Sequence, residues 1–280
     1  MPAIRVACAQ FEPAHSDIAA SQARVDALLA NTARGSVDVL VLPELAFTGY
    51  LFRDVAHVAP LAERVGDGPT TSWATACASR LQCTVVVGFV EAGDDGRLYN
   101  SQLVVSPSCV VGVLACHRKT HLFAADETWA SEGSTVGTTF SLQLGDTAVK
   151  CALGICMDIN PKGFTAPFRA YELATATLAA DAAILLFSSA WCDRSPLDPP
   201  DYVPPPVSAL ETQSYWALRL APLQSDDSVR YFVCADRTGR EATTTFCGSS
   251  CVMALGHGRV QLLATLDERE EGVLVQTCTV

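Results

Sequence analysis

Along most of the chain, short uninterrupted apolar runs alternate with stretches of helical spacing. Ile4–Phe11 is mostly apolar and predicts a first strand. Between about Ser16 and Ala33 the spacing turns helical, with Ile18, Val25, Leu28 and Leu29 available for a buried face. Val37–Leu42 (VDVLVL) is nearly all apolar, as expected of a strand covered on both faces, and Pro43 stops it with Glu44 at its end. The sequence GDGPT introduces a helix over Thr70–Leu81, and Cys83–Val90 reads as the next strand. Leu98–Val105 and Val110–His117 pair as strands across the turn SPS. After a polar loop, Ala148–Cys156 predicts a strand and Phe168–Ala180 a helix. Ile184–Ser188 is a buried strand, followed by a proline-rich loop from Cys192 to about Val207. A helix over Glu211–Leu220 and strands at Tyr231–Ala235, Ser249–Leu255, Val260–Leu263 and Val273–Thr277 complete the chain. No repeat or composition break divides residues 1–280. Strand–helix alternation followed by meandering strands predicts one layered α/β domain, with helices outside and sheets inside.

Composition narrows the class. With 280 residues, 49% hydrophobic and 18% charged, the chain can bury a large core and is a poor candidate for disorder. A formal charge of −11 without basic runs argues against nucleic acid, whose phosphates need clustered Lys and Arg. Twelve cysteines suggest a disulfide framework, but MPAIRVACAQ opens directly as a strand without a signal-peptide pattern. No stretch approaches the roughly 20 apolar residues of a membrane span. The expectation is a cytoplasmic chain whose cysteines are mostly small buried hydrophobes. Cys247 and Cys251 have no second pair at zinc-ribbon spacing and read as strand residues. His117 and His121 straddle a strand end, where structural or substrate-facing roles suit them better than metal ligation, so no metal is expected.

Three short segments carry chemistry. In Leu153–Asp158 (LGICMD), a strand delivers Cys156 to a strand-to-helix turn, where backbone N–H groups are free to hold an oxyanion. Any single cysteine is more often a buried hydrophobe, so Cys156 gains weight only from the other two segments. In Leu42–Tyr50 (LPELAFTGY), a semi-buried Glu44 would have a raised pKa suited to general-base work, although alone it serves equally as a helix N-terminal charge. In His117–Phe123 (HRKTHLF), Lys119 ends a strand, where an isolated lysine is usually a solvated edge residue. Together the segments supply a base, a cation and a thiol, the set that covalent acyl transfer requires.

LPE, then RKxHLF, then GICxD, in that order and near these distances, resembles the nitrilase (carbon–nitrogen hydrolase) superfamily along the whole chain. That resemblance implies a four-layer αββα sandwich and a Glu44–Lys119–Cys156 triad. It also implies a further glutamate after the lysine, for which Glu127 matches best and Glu132 second. ILLFSSAW (184–191), ADRTGRE and FCGSSCVM (235–253) are similar to later family elements, with Asp236 where the family usually has Asn. ICMDINPKGFTAPF, KTHLFAADETWASEG and YWALRLAPL most resemble the branch that acts on protein N-terminal asparagine and glutamine.

The implied reaction converts N-terminal Asn or Gln of peptides and proteins to Asp or Glu, with ammonia released through a cysteine thioester and no cofactor. Lys119 and the N–H of Met157 would hold the oxyanion, with Trp191 and Asp126 as substrate-binding residues. Asp126, Asp158 and Asp193 are the acids available for a substrate α-ammonium, Asp158 being the more structural of them. The implied consequence is marking proteins for degradation by their N-terminal residue. An ω-amidase or other small-amide hydrolase would use the same triad, and a non-catalytic binding protein is the alternative of another class. The oligomeric state is left open, and the proline-rich loop 196–206 reads equally as an active-site rim or a plain surface loop.

Overall fold

The computed structural model describes residues 2–107, 112–195, 197–199 and 201–280. Its strands are β1 (Ala3–Gln10), β2 (Val39–Val41), β3 (Thr84–Ala92), β4 (Leu98–Val105), β5 (Val113–Arg118), β6 (Thr139–Leu144) and β7 (Thr147–Ile155). After these come β8 (Ile184–Ser189), β9 (Arg230–Asp236), β10 (Arg240–Glu241), β11 (Thr244–Thr245), β12 (Cys251–Gly256), β13 (Arg259–Thr265) and β14 (Gly272–Thr279). The α-helices are α1 (Ile18–Leu28), α2 (Val55–Val58), α3 (Pro69–Leu81), α4 (Glu172–Ala179), α5 (Ala209–Arg219) and α6 (Ala221–Gln224).

Two six-stranded sheets carry the fold, in the orders β14-β1-β2-β3-β4-β5 and β13-β12-β9-β8-β7-β6. Each has three neighbouring parallel strands at its centre, β1-β2-β3 in one and β7-β8-β9 in the other, with antiparallel strands outside them. Side chains alternate along each strand, so each sheet has two buried faces. Val39, Val41 and Val86 of the first sheet meet Leu153, Leu186 and Val233 of the second between the sheets. Leu40 and Val85 point the other way, onto Val25 of α1 and Trp73 and Cys77 of α3. Leu185, Phe187 and Phe232 face outward onto Leu173 of α4 and Trp216 of α5. The result is the αββα sandwich that the resemblance implied.

Most expected elements occur with ends moved by a few residues. The strand β6 was not expected, and the chain before β7 read as a polar loop. Its outward residues Thr139, Ser141 and Gln143 are polar, while Phe140 and Leu142 alone are buried, so the edge strand carries a weak apolar signal. The helix expected from Phe168 begins only at Glu172, after a 3₁₀ turn over Phe168–Ala170. Cys251 lies in β12, but Cys247 lies in the irregular stretch before it. Ser108, Val110 and Val111 of the expected hairpin, and Pro196 and Pro200 of the proline-rich loop, lie outside the described residues. Among the described residues, no helix is long and apolar enough to cross a membrane.

The core makes a direct prediction. Leu186 is fully buried between the sheets, whereas Leu210 on α5 is 67% exposed. Leu186→Ala should cost about 2–5 kcal/mol through lost transfer energy and a residual cavity, while Leu210→Ala should stay within about 0.5 kcal/mol. Urea midpoints at an unchanged slope would measure both, and equal losses would contradict the layered packing.

Candidate active site

The residues with candidate chemistry gather at the carboxyl ends of strands. Glu44 follows β2 by three residues, Lys119 follows β5 directly and Cys156 follows β7 directly. Glu44 donates its N–H to the Ser189 carbonyl at the end of β8, at 3.3 Å, which joins the two sheets at the site. Ala46 donates to the Gly88 carbonyl at 3.0 Å. A Cβ at Gly88 would lie 2.5 Å from the Leu45 N and 2.7 Å from the Glu44 Cα. Only glycine lets the Glu44 turn lie this close to β3.

Lys119 is wholly buried, and its ammonium sits between two carboxylates. Nζ donates to Glu44 Oε1 and to Asp126 Oδ2, each at 2.6 Å. Asn100 of β4 ties the acids together, donating to Glu44 Oε1 at 2.7 Å and Asp126 Oδ1 at 3.0 Å. Tyr50 Oη donates to Asp126 Oδ2 at 3.3 Å. Burial disfavours the ammonium, but Asp126 and Glu44 outweigh it and hold Lys119 above the ordinary lysine range. Burial raises the Glu44 carboxyl, against the opposing pull of Lys119. Oε1 carries both of Glu44's side-chain bonds and Oε2 has no partner among the described residues, so one oxygen anchors the residue while the other can take a proton.

The expected Glu127 is corrected here. It is exposed, while Asp126 is buried on Lys119. Both belong to the 3₁₀ turn Asp126–Thr128, where neighbouring side chains diverge by roughly 120°, so only one can face inward. Asp126 is thereby also removed from the acids that could meet a substrate amine. Glu132 pairs with Lys162 on the surface, at 2.7 Å.

Cys156 opens the 3₁₀ turn Cys156–Ile159 with φ of 38°, a left-handed conformation unusual for a residue with a side chain. Burial, then the charge of Glu44, pushes its thiol well above the ordinary range, so the resting sulfur is protonated. Asp158 holds the turn, accepting from the N–H groups of Ile155, Thr120 and His121 and from His117 Nε2, all at 2.8–2.9 Å. The structural role expected of Asp158 follows, and His117 and His121 share it, since His121 Nδ1 bonds the Asn160 carbonyl at 2.9 Å. From the far side, Tyr215 Oη donates to Asn160 Oδ1 at 2.6 Å. Arg219 bonds the Ile159 and Phe168 carbonyls. The sequence flags Tyr215 and Arg219 only as parts of YWALRLAPL. Asn100 and Gly88 carry no local signal at all.

Cys156 and Met157 lie at a cavity of about 400 Å³, also lined by Asn160, Trp191, Asp193 and Asp198. Trp191 packs on Tyr215 and Trp216, with ring centroids 5.6 and 5.7 Å away. The Trp191 backbone N–H donates to Asp236 Oδ1 at 2.9 Å. Burial pushes the Asp236 carboxyl well above the usual carboxylate range, against the hydrogen bonds it accepts. Of Asp126, Asp158 and Asp193, only Asp193 lines the cavity, and its Oδ1 accepts from the Thr245 N–H at 2.9 Å. Asp198 lines it too and escaped the sequence reading. Pro204–Pro206 line a separate cavity, so the proline-rich segment rims the catalytic one only in part. Among the described residues, no group of three or more His, Cys, Asp or Glu could hold a metal ion.

This is the geometry of a thiol hydrolase, and comparison gives the class. The family model for carbon–nitrogen hydrolases matches residues 5–280, and the chain belongs to that family. It is 29% identical to the protein N-terminal amidase of Schizosaccharomyces pombe, over 97% of this chain and 98% of that one. Crystal structures of N-terminal amidase with an Asn-Glu-Ala peptide and with a Gln-Gly peptide share its fold, each at a TM-score of 0.87. They cover 99% of this chain and 97% of theirs, at 20% and 19% identity.

The Asp158 cluster predicts a pH dependence. Burial alone would raise this carboxyl, but the His117 ring and backbone N–H groups override it and pull it down to about 2. A carboxyl held low in the fold stabilises it above the unfolded value near pH 4 and loses that contribution as pH falls toward 2. The loss should be about 2 kcal/mol. Asp158→Asn should be less stable at neutral pH and lack this acid-sensitive component, which urea unfolding between pH 2 and 7 would measure.

Proposed function

We propose that this chain hydrolyses the side-chain carboxamide of N-terminal Asn or Gln in peptides and proteins, giving Asp or Glu and ammonia. The observation that carries the chemistry is the buried Lys119 ammonium between Glu44 and Asp126, beside the Cys156 turn. The full-length likeness to an N-terminal amidase supports the substrate class.

Cys156 Sγ attacks the amide carbon while Glu44 Oε2 takes the thiol proton. Because the resting thiol is protonated, attack and proton transfer go together. The oxyanion meets Lys119 and the Met157 N–H at the start of the 3₁₀ turn. Glu44 then protonates the nitrogen, the C–N bond breaks and ammonia leaves a thioester. Water, losing a proton to Glu44, attacks the thioester, and the C–S bond breaks as Glu44 returns that proton to sulfur and the acid is released. Asp126 remains the counter-ion of Lys119 whenever Glu44 is protonated, so the ammonium is never left unpaired in a dry site. No cofactor enters these steps. Asp193 is the acid we assign to the substrate α-ammonium. The eleven cysteines among the described residues are all free, which suits a reducing, cytoplasmic setting. There the new acidic N-terminus would serve as a degradation signal.

Two experiments test this reading. Cys156→Ala should abolish ammonia release from an Asn-initiated peptide, and Lys119→Ala should lower turnover roughly a hundredfold. Lys119→Arg should not restore it, because a planar fork cannot sit between two carboxylates placed for a compact ammonium. Normal turnover by the alanine variant of Cys156 would end the mechanism. For the substrate class, free Asn and Gln peptides should be cleaved and N-acetylated ones not, and Asp193→Asn should raise KM about tenfold. Equal turnover of acetylated peptides would refute amine recognition, and a preference for α-ketoglutaramate would make this an ω-amidase.

A further inference from the structure

A second cavity, of about 490 Å³, adjoins the catalytic one. Arg194, Ser195 and Asp198 line both. The remaining wall of the second cavity is largely apolar, with Leu51, Phe52, Ala125 and Ala242, completed by threonines 128, 243 and 244 and by Arg53.

The shared strip comes directly after Asp193, the acid assigned to the substrate amine. A peptide held there by its α-ammonium has its second Cα only about 3.8 Å from the first, so its second side chain arrives at this strip. Several of the strip's polar groups are engaged with their own loop. Asp198 Oδ2 accepts from the Ser195 N–H at 2.7 Å, and the Arg194 guanidinium donates to the Pro199 and Tyr202 carbonyls at 2.9 and 3.3 Å. Beyond them an incoming side chain meets the apolar wall of Leu51, Phe52, Ala125 and Ala242.

That wall is held in place before any ligand arrives. Phe52 packs edge-on against Trp129 and His57, with centroids 5.9 and 5.4 Å apart. The N–H of Leu51 donates to Glu241 Oε2 at 2.7 Å, and Glu241 is in turn paired with buried Arg237. A preformed apolar wall binds without a large ordering cost. The exposed guanidinium of Arg53 adds positive charge at the rim.

We propose that this second cavity is the subsite for the residue that follows the N-terminal Asn or Gln, and that it selects a large apolar side chain there and rejects a cationic one. The proposal rests on the N-terminal amidase reading and extends it from one residue to two.

Ammonia release from otherwise identical peptides opening Asn-Gly, Asn-Leu, Asn-Phe and Asn-Lys tests it. Leu and Phe should exceed Gly by roughly tenfold in kcat/KM, and Lys should fall below Gly. Thr243→Trp, which narrows the cavity from the exposed turn between β10 and β11, should bring the Leu-to-Gly ratio toward one. Arg53→Glu gives an independent reading at the rim and should raise Lys relative to Gly. Equal kcat/KM across the four peptides would overturn the subsite and leave the amidase reading standing. No ammonia from any of them would remove that reading and the subsite with it.

Discussion

An ammonium in a protein interior is tolerable only with its counter-charges in contact, and Lys119 is buried to the last atom. Meeting that requirement organises the site. One carboxylate comes from the turn after β2 and the other from the turn after β5, and Asn100 holds the two at a fixed separation. Two acids against one base leave the group with an excess of negative charge. Burial first, with the charge of Asp126 added, raises Glu44 against the pull of Lys119, and burial with the charge of Glu44 keeps the neighbouring thiol protonated. The thiol therefore keeps its proton beside a carboxylate whose second oxygen has no partner among the described residues.

The sandwich exists, in functional terms, to hold that cluster still. Glu44, Lys119, Cys156 and Trp191 all follow the carboxyl ends of strands, and Asp236 closes one, so they share one edge of the two packed sheets. Ser189 joins the sheets there, its carbonyl accepting from the N–H groups of both Glu44 and Arg237. The left-handed Cys156 is braced from two directions. Asp158 collects N–H groups beneath it, and Arg219 and Tyr215 of α5 hold the chain that follows. A strained turn persists only where its surroundings determine it this fully.

The proposed reading puts recognition outside the ion cluster. Asp126 is engaged by Lys119 and Asp158 by the turn, which leaves Asp193 and Asp198 as the cavity acids, on a loop that also walls the adjoining cavity. In the proposed reading, chemistry and recognition use different carboxylates, and the recognition loop can vary without disturbing the buried charges.

Residue pattern alone determined the layered α/β class and the chemistry on offer. Apolar runs such as VDVLVL mark strands covered on both faces, and Glu44, Lys119 and Cys156 stand at their ends. Those signals are local, because burial period and strand ends are written in neighbouring residues. Only the tertiary structure decided which neighbour faces inward. Asp126 displaces Glu127 because a 3₁₀ turn rotates adjacent side chains apart, and the two differ by a single position in sequence. Strand β6 was hidden because an edge strand with polar outward residues looks like a loop. Gly88 and Asn100 have no local mark, since each matters through a segment roughly 40 to 60 residues away that packing brings against it. Sequence periodicity reports how each segment is buried. Which groups then share one ammonium depends on contacts such as Lys119 to Glu44, 75 residues apart, and those exist only once the sheets have met.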